Sequence, residues 1–457
     1  MKMFNQIQWQ VLVSLFATFL VSSATAQKDL PTFDDEFTCT SQTVAQKYVG
    51  DYNVDISSFG GMELCNPAID TKKLFNDLSL VEAGQFRGDG SNPLIRGFVN
   101  INDYYGWLKS MTRGMDRGND IPWATAYNSG GYFTMQDGWS KLSTLGRVGT
   151  VVHEARHTAG YYHMACTTGP YAGTNLAGCD RDYSYGGSHA IEMEYYARVA
   201  IYGANFHPAY KYMARLMAMG RTNFVFNTKP IAPREALMLV TAQNEVMLWD
   251  GKSLVQRDGN VLQRRLKRTS FGASLFDFTK AFAIDPYGRS MTNKDVNDDY
   301  SYFKLLADSR GQGPEPLMDM EEIDLGIKRN FVLLNRGGQL GRYVFREGKW
   351  SSFSNGPRGA ELFSQHNPAG EKGLFVRSVD RKIYQLNPEN LSQATQLSTT
   401  WPQTLVSVVK DRETTLHLYE NGLLLTAGTD LPFFPTKEIN IRQAVNIPLY
   451  DAFEVKP

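Results

Sequence analysis

Residues 153–163 read HEARHTAGYYH and hold three of the chain's seven histidines. On a helix, successive residues turn by about 100°, so His153 and His157 share one face, a turn apart. Two imidazoles so placed can reach one metal ion. Zn²⁺ suits them best, because it takes neutral imidazole nitrogen in tetrahedral geometry. Glu154, beside the first histidine, can take a proton from water that the metal activates, the role of a general base. His163 lies six residues after His157 and would point elsewhere on a continuing helix. Gly160 resolves this, since glycine adopts positive φ and ends a helix with a turn. The turn returns a third imidazole to the metal. The full pattern H-E-x-x-H-x-x-G-x-x-H is matched at every fixed position.

The elements that must hold these residues follow from the flanking sequence. Apolar spacing and polar caps predict a helix from about Leu142 to Ala159 and a second over SHAIEMEYYARVAIYG, with Ser188 as its cap and Gly203 as its stop. Helices are also predicted over SQTVAQKYVG, DTKKLFNDLSLVEAG and NINDYYGWLKSM. The aromatic and β-branched residues of IPWATAYNSGGYFTM, around Asn-Ser-Gly-Gly, predict strands and a turn. The four cysteines, Cys39, Cys65, Cys166 and Cys179, are an even number. Residues 1–26 carry Lys2, an apolar run and Ala24-Thr25-Ala26, the features of a cleaved export signal. Export favours disulfides. Three pairings are possible, and Cys39–Cys65 with Cys166–Cys179 joins neighbours in sequence. An oxidised Cys166–Cys179 pair also removes thiolates as competing metal ligands.

The block 153–163 resembles the zincin metallopeptidases, and its length is similar to the metzincin branch. The likeness is close over those eleven residues and loose over about 120–203. It implies His153, His157 and His163 as zinc ligands, Glu154 as the base, and AYNSGGYFTM as an edge strand that pairs with an extended substrate. Met193 and Tyr195, in IEMEY, match the spacing of the branch's methionine turn, although the pattern here predicts a helix. HEARHT, with His163-x-x-Cys166 and Cys179-Asp180, is also similar to a group of uncharacterised exported bacterial proteins.

Other residues near the motif carry competing readings. Asp180 either binds the metal or orients a ligating imidazole, with His163 preferred as third ligand; Asp180 and Asp182 also suit loop hydrogen bonds. Glu192 and Glu194 fall where glutamate-ligand zincins place their third ligand, but Glu194 and Arg198 form an ordinary i,i+4 pair. His189 reads as a surface residue or an outer partner. Arg156 reads as the helix's ion-pairing flank. Tyr183, Tyr185 and Tyr195 offer hydroxyls to an oxyanion.

After about residue 228 the pattern changes to strands. Runs of strand, polar turn and strand begin at residues 236, 281, 330, 373 and 415. Such a period predicts propeller blades of four short strands, and five fit the length; a β-sandwich is the alternative. The expected organisation is a signal peptide over 1–26, an α+β zincin-like domain over 28–228, and an all-β, propeller-like domain over 229–457. Lys+Arg and Asp+Glu both total 47, which argues against a nucleic-acid partner. No later segment is apolar enough to span a membrane. Taken together, the chain reads as an exported, secreted or periplasmic zinc hydrolase acting on a protein or peptide, a cell-wall peptide included. The alternative is a non-catalytic binding protein with a structural zinc site and a partner-binding propeller.

Overall fold

The computed structural model describes residues 39–454, apart from 87–90, 100–102, 122–123, 169–170, 174–176, 207, 250–252, 261–264, 270–271, 278–281, 285–289, 293–316, 326–327, 345–348, 351–355, 365, 412–413, 421–423 and 427–439. The export signal expected over 1–26 lies outside these residues. No described helix is long and apolar enough to cross a membrane.

Local signals set the helix ends. Helix α1 (Gln42–Tyr52) begins at Ser41, whose hydroxyl accepts from Val44 N, and it runs past Gly50 to stop at left-handed Asn53. Helix α2 spans Asp70–Ala83 and ends at Gly84. Asp103 caps α3 (Tyr104–Met111) through Gly106 N. Strands β1 (Gly114–Arg117), β2 (Ala126–Ser129) and β3 (Tyr132–Met135) form a sheet in the order β1-β3-β2. β1 runs parallel to β3, while β2 is antiparallel and takes the sheet edge. One helical turn, α4 (Asp137–Ser140), leads to α5 (Thr144–Thr158), capped by Ser143 through Gly146 N. Strands β4 (Met164–Ala165) and β5 (Ala177–Asp182) pair antiparallel. Helices α6 (Ser188–Tyr202) and α7 (Pro208–Phe224) follow, and β6 (Phe226–Thr228) returns beside β5. Packing is sequential: α2 lies against α5, α5 against α6, and α6 against α7.

Beyond β6 the described chain forms five antiparallel sheets. The first holds Arg234–Thr241, Glu245–Trp249 and Leu254–Asn260, with C-terminal strand Ile441–Leu449 on its inner side. The second runs from Arg265 to Thr292, the third from Leu317 to Trp350, the fourth from Glu361 to Thr400 and the fifth from Leu405 to Thr426. The repeated runs seen in the sequence are the second and third strands of four sheets and the third and fourth strands of the second. The leading strands of the first four sheets touch in succession, and that of the fifth touches strand Ile441–Leu449. The fourth and fifth sheets pack through Phe375, Ile383, Leu405 and Val408, and strand Ile441–Leu449 completes the first sheet. That order is a five-bladed propeller rather than a sandwich, and pairing the two ends closes the ring. Buried Lys267 ties three blades together: Nζ lies 2.9 Å from Asp319 and 2.8 Å from Glu321, and it donates to Leu362 O at 2.6 Å.

The helical part and the propeller share one core. Leu317, Met320, Phe331, Leu333 and Tyr343 of the third blade, with Tyr450 and Phe453 after the last strand, pack into the cluster that contains α2, α5, α6 and α7. Asn92 also donates to Ala452 O at 2.5 Å.

Candidate metal centre

Helix α5 stops at Thr158, and Gly160 adopts φ +87°. That conformation costs an L-residue about 1–2 kcal/mol, so glycine fits here. The turn carries His163 back over α5. His153 Nε2 then lies 2.9 Å from His163 Nε2. His189, at the start of α6, joins them: one nitrogen from each of His153, His163 and His189 lies within 4.8 Å of the others. His157 flanks the same pair, its ring centroid 5.0 Å from that of His153 and 4.8 Å from that of His163. It falls outside the tighter three-residue group.

Each ring has partners that fix which nitrogen carries a proton. His153 Nδ1 faces Glu192 Oε2 at 3.4 Å, and His157 Nδ1 faces Tyr161 O at 2.5 Å. Both partners only accept, so these Nδ1 atoms donate and the lone pairs sit on Nε2. His163 Nδ1 stands 3.4 Å from Asp180 Oδ1, a buried carboxylate oxygen that favours a proton on Nδ1 and the lone pair on Nε2. With both protons on Nδ1, His153 and His163 turn two lone pairs to each other across 2.9 Å. That arrangement asks for a cation, and carboxylate-backed neutral imidazoles are the donor set zinc takes. Burial disfavours the charged form of three rings: it holds His153 well below the usual imidazole range, lowers His189, and with His163 brings His157 down to about 4.

The carboxylates are built in. Asp180 is fully buried on β5, and its Oδ2 accepts from Ala190 N at 3.0 Å. It thereby caps α6 from outside, where Ser188 was expected to serve; Ser188 is instead the first helical residue, behind Gly187. Glu192 lies one turn after His189. Burial alone would raise it, but Arg221 and the hydrogen bond from His153 hold it well below the carboxylate range. Arg221 Nη2 and Tyr196 Oη bind its other oxygen at 2.5 and 3.0 Å. Gly149 of α5 makes room, because a Cβ there would lie 1.8 Å from Tyr196 Oη.

Glu154 is buried, and its Oε2 has no hydrogen-bond partner. Burial, with Glu192 adding repulsion, raises its carboxyl to about 8. Asn128 on edge strand β2 donates to Glu154 O at 2.5 Å and to Thr158 Oγ1 at 2.7 Å, pinning the strand alongside α5. The Cys166–Cys179 disulfide staples the His163 return to the strand that carries Asp180, and Cys39–Cys65 is also formed.

The remaining residues take other places. Met193 sits in the middle of α6, not in a tight turn, and its sulfur accepts from Thr222 at 3.5 Å. Tyr195 is buried edge-on to Tyr104 and Phe86 in the core. Tyr183 donates to Leu94 O, and Tyr185 N is received by Asp182. Glu194 pairs with Arg198 at 2.6 Å, both buried, and also accepts from Arg96 N and Gly97 N. Arg156 donates to Gly186 O and lies 3.7 Å over the Tyr161 ring. His189 was read as a surface or outer residue; it is buried in the cluster. The signal for it was the His189-x-x-Glu192 spacing, which puts both on one helix face.

No family model and no curated protein matches this chain. Among solved structures, BBS1N in complex with ARL6DN is 11% identical over 46% of this chain and 60% of its own, with a TM-score of 0.24. The WD40 β-propeller domain of Doa1 is 14% identical over 44% of this chain and 56% of its own, with a TM-score of 0.21. The extracellular domain of a one-component system from B. thetaiotaomicron is 11% identical over 48% of this chain and 33% of its own, with a TM-score of 0.23. The chain thus spans less than two thirds of each. Scores this low define no shared fold; the propeller stands on its own strand order.

Proposed function

We propose that this chain is an exported zinc hydrolase that cleaves peptide amides. The observation that carries the reading is the convergence of His153, His163 and His189, with a buried carboxyl oxygen, Oε2 of Glu154, left without a partner on the residue that follows His153. His153 and His163 would hold the metal, with a third imidazole from His157 or His189, which flank them. Bound zinc supplies a Lewis acid that polarises a carbonyl and makes water acidic. Glu154 would take the water's proton and pass it to the leaving amine. Strand β2 has no partner on its outer side among the described residues, and an extended peptide backbone could add there. The two disulfides support an oxidising compartment.

The test compares wild type with Glu154→Gln for zinc content by mass spectrometry and for cleavage of a mixed peptide library. Both proteins should carry one zinc, and only the wild type should cleave, because a general base contributes about 10²–10⁴-fold in rate. Equal cleavage by the variant would remove Glu154 from the role, and wild type isolated without metal from zinc-replete medium would remove the reading altogether.

A further inference from the structure

Four imidazoles surround a position that an open hydrolytic zinc site fills with three. His153 and His163 form the central pair. The His157 ring lies 5.0 and 4.8 Å from them, and the His189 ring 4.6 and 4.5 Å. His189 is the informative one. Its Nε2 lies 3.1 Å from Gly178 O, a pure acceptor, so this nitrogen carries the proton. The lone pair is then on Nδ1, which is buried and has no hydrogen-bond partner. The nearest charged atom is Glu192 Oε2 at 3.5 Å, another acceptor. A buried acceptor facing an acceptor is costly unless a cation joins them. His157 has its Nδ1 engaged by Tyr161 O and Ser188 Oγ, which leaves its lone pair on Nε2.

We propose that His189 is a fourth metal ligand, so that the resting site is a closed shell of His153, His157, His163 and His189 with no place for water. This rests on the zinc-hydrolase reading and adds regulation to it: the site is closed at rest, and hydrolysis begins when a bound peptide substrate displaces His189 from the metal. Gly178, which anchors the ring, lies next to Cys179 on the stapled strand β5, so the latch and the His163 return are fixed to the same short hairpin.

X-ray absorption of the zinc-loaded full-length protein should count four imidazole nitrogens and no shorter oxygen. Cobalt-loaded wild type should keep its visible spectrum when azide is added, because no exchangeable position exists. Cobalt-loaded His189→Ala should still bind one metal, with affinity reduced more than the ~10–100-fold typical of losing an orienting partner, and its spectrum should shift with azide. Wild type that already responds to azide, or that shows three imidazoles and one oxygen, would overturn the closed shell while leaving the hydrolase reading standing. A wild type that binds neither zinc nor cobalt would overturn both. If His189→Ala does not fold, the two wild-type measurements decide alone.

Discussion

Gly160 is the residue on which the histidine cluster turns. Its φ of +87° is set by the backbone, and a Cβ there would meet nothing within 4 Å. The cost of Gly160→Ala is therefore conformational, about 1–2 kcal/mol, and the strained turn would shift His163. Urea unfolding should show a loss of that size, with weaker zinc binding in a competition titration; unchanged zinc affinity would mean that the turn does not position His163. The buried rings also set a pH dependence. His157 has a folded pKa of about 4, while a free imidazole titrates near 6.5. Between those values the unfolded chain holds the extra proton, so stability of the metal-free protein falls as pH drops through that window. His153 and His189 are lowered by burial too and act in the same direction. Glu154, raised to about 8, acts in the opposite direction over this window, so in metal-free Glu154→Gln, which lacks it, the urea midpoint should be lower at pH 5 than at pH 7. A midpoint indifferent to this change would show that the rings are not held neutral.

Among the elements, the short hairpin of β4 and β5 does most to couple stability to the site. It carries His163 at its entry and Asp180 near its exit, and the Cys166–Cys179 disulfide closes it with a sequence separation of 13. A loop of this size contributes roughly 3 kcal/mol through the unfolded chain. Cys166→Ser with Cys179→Ser should lower stability by about that much and also weaken zinc binding. Removing Cys39–Cys65, which bridges the start of the described chain to the loop after α1, should lower stability and leave zinc affinity unchanged. Equal zinc affinity in both double variants would separate the hairpin from the metal centre. The helix pair α5 and α6 is fixed differently, by close approach at Gly149 and the buried Glu192–Arg221 pair.

At the scale of the molecule, the C-terminus does two jobs. Its strand Ile441–Leu449 completes the first blade, and Tyr450 and Phe453 enter the core shared with the helices. Ile441, Val445, Ile447, Leu449, Tyr450 and Phe453 are all buried. At about 1.5–3 kcal/mol for each large apolar side chain, their loss rivals the whole stability of a typical domain, about 5–15 kcal/mol. A chain ending before Ile441 should lose its cooperative thermal transition by both near- and far-ultraviolet circular dichroism. A truncated chain that melts cooperatively would show that neither ring closure nor the shared core is required. For the same reason, a fragment beginning at residue 229 would expose Leu317, Phe331 and Tyr343, which the helices cover in the full chain.

Local chemistry wrote part of this into the sequence. The H-E-x-x-H-x-x-G-x-x-H spacing, the glycine turn, the cysteine pairs and the period of the five hairpins depend on residues close along the chain. Helix geometry, loop closure and strand alternation are enough to read them. The caps at Ser41, Asp103 and Ser143 belong to the same class. Contacts between distant segments were not legible. His189 comes 36 positions after His153, and only the packing of α6 on α5 brings their rings to 4.6 Å. Asp180 caps α6 because β5 passes its N-terminus, a fact of sheet pairing with β6 rather than of local propensity. The shared core likewise joins residues hundreds of positions apart. Near the motif, sequence spacing named the imidazoles that share a helix and its turn; tertiary packing added the fourth, because burial of one helix face against another decides which polar groups lose water and must find each other instead.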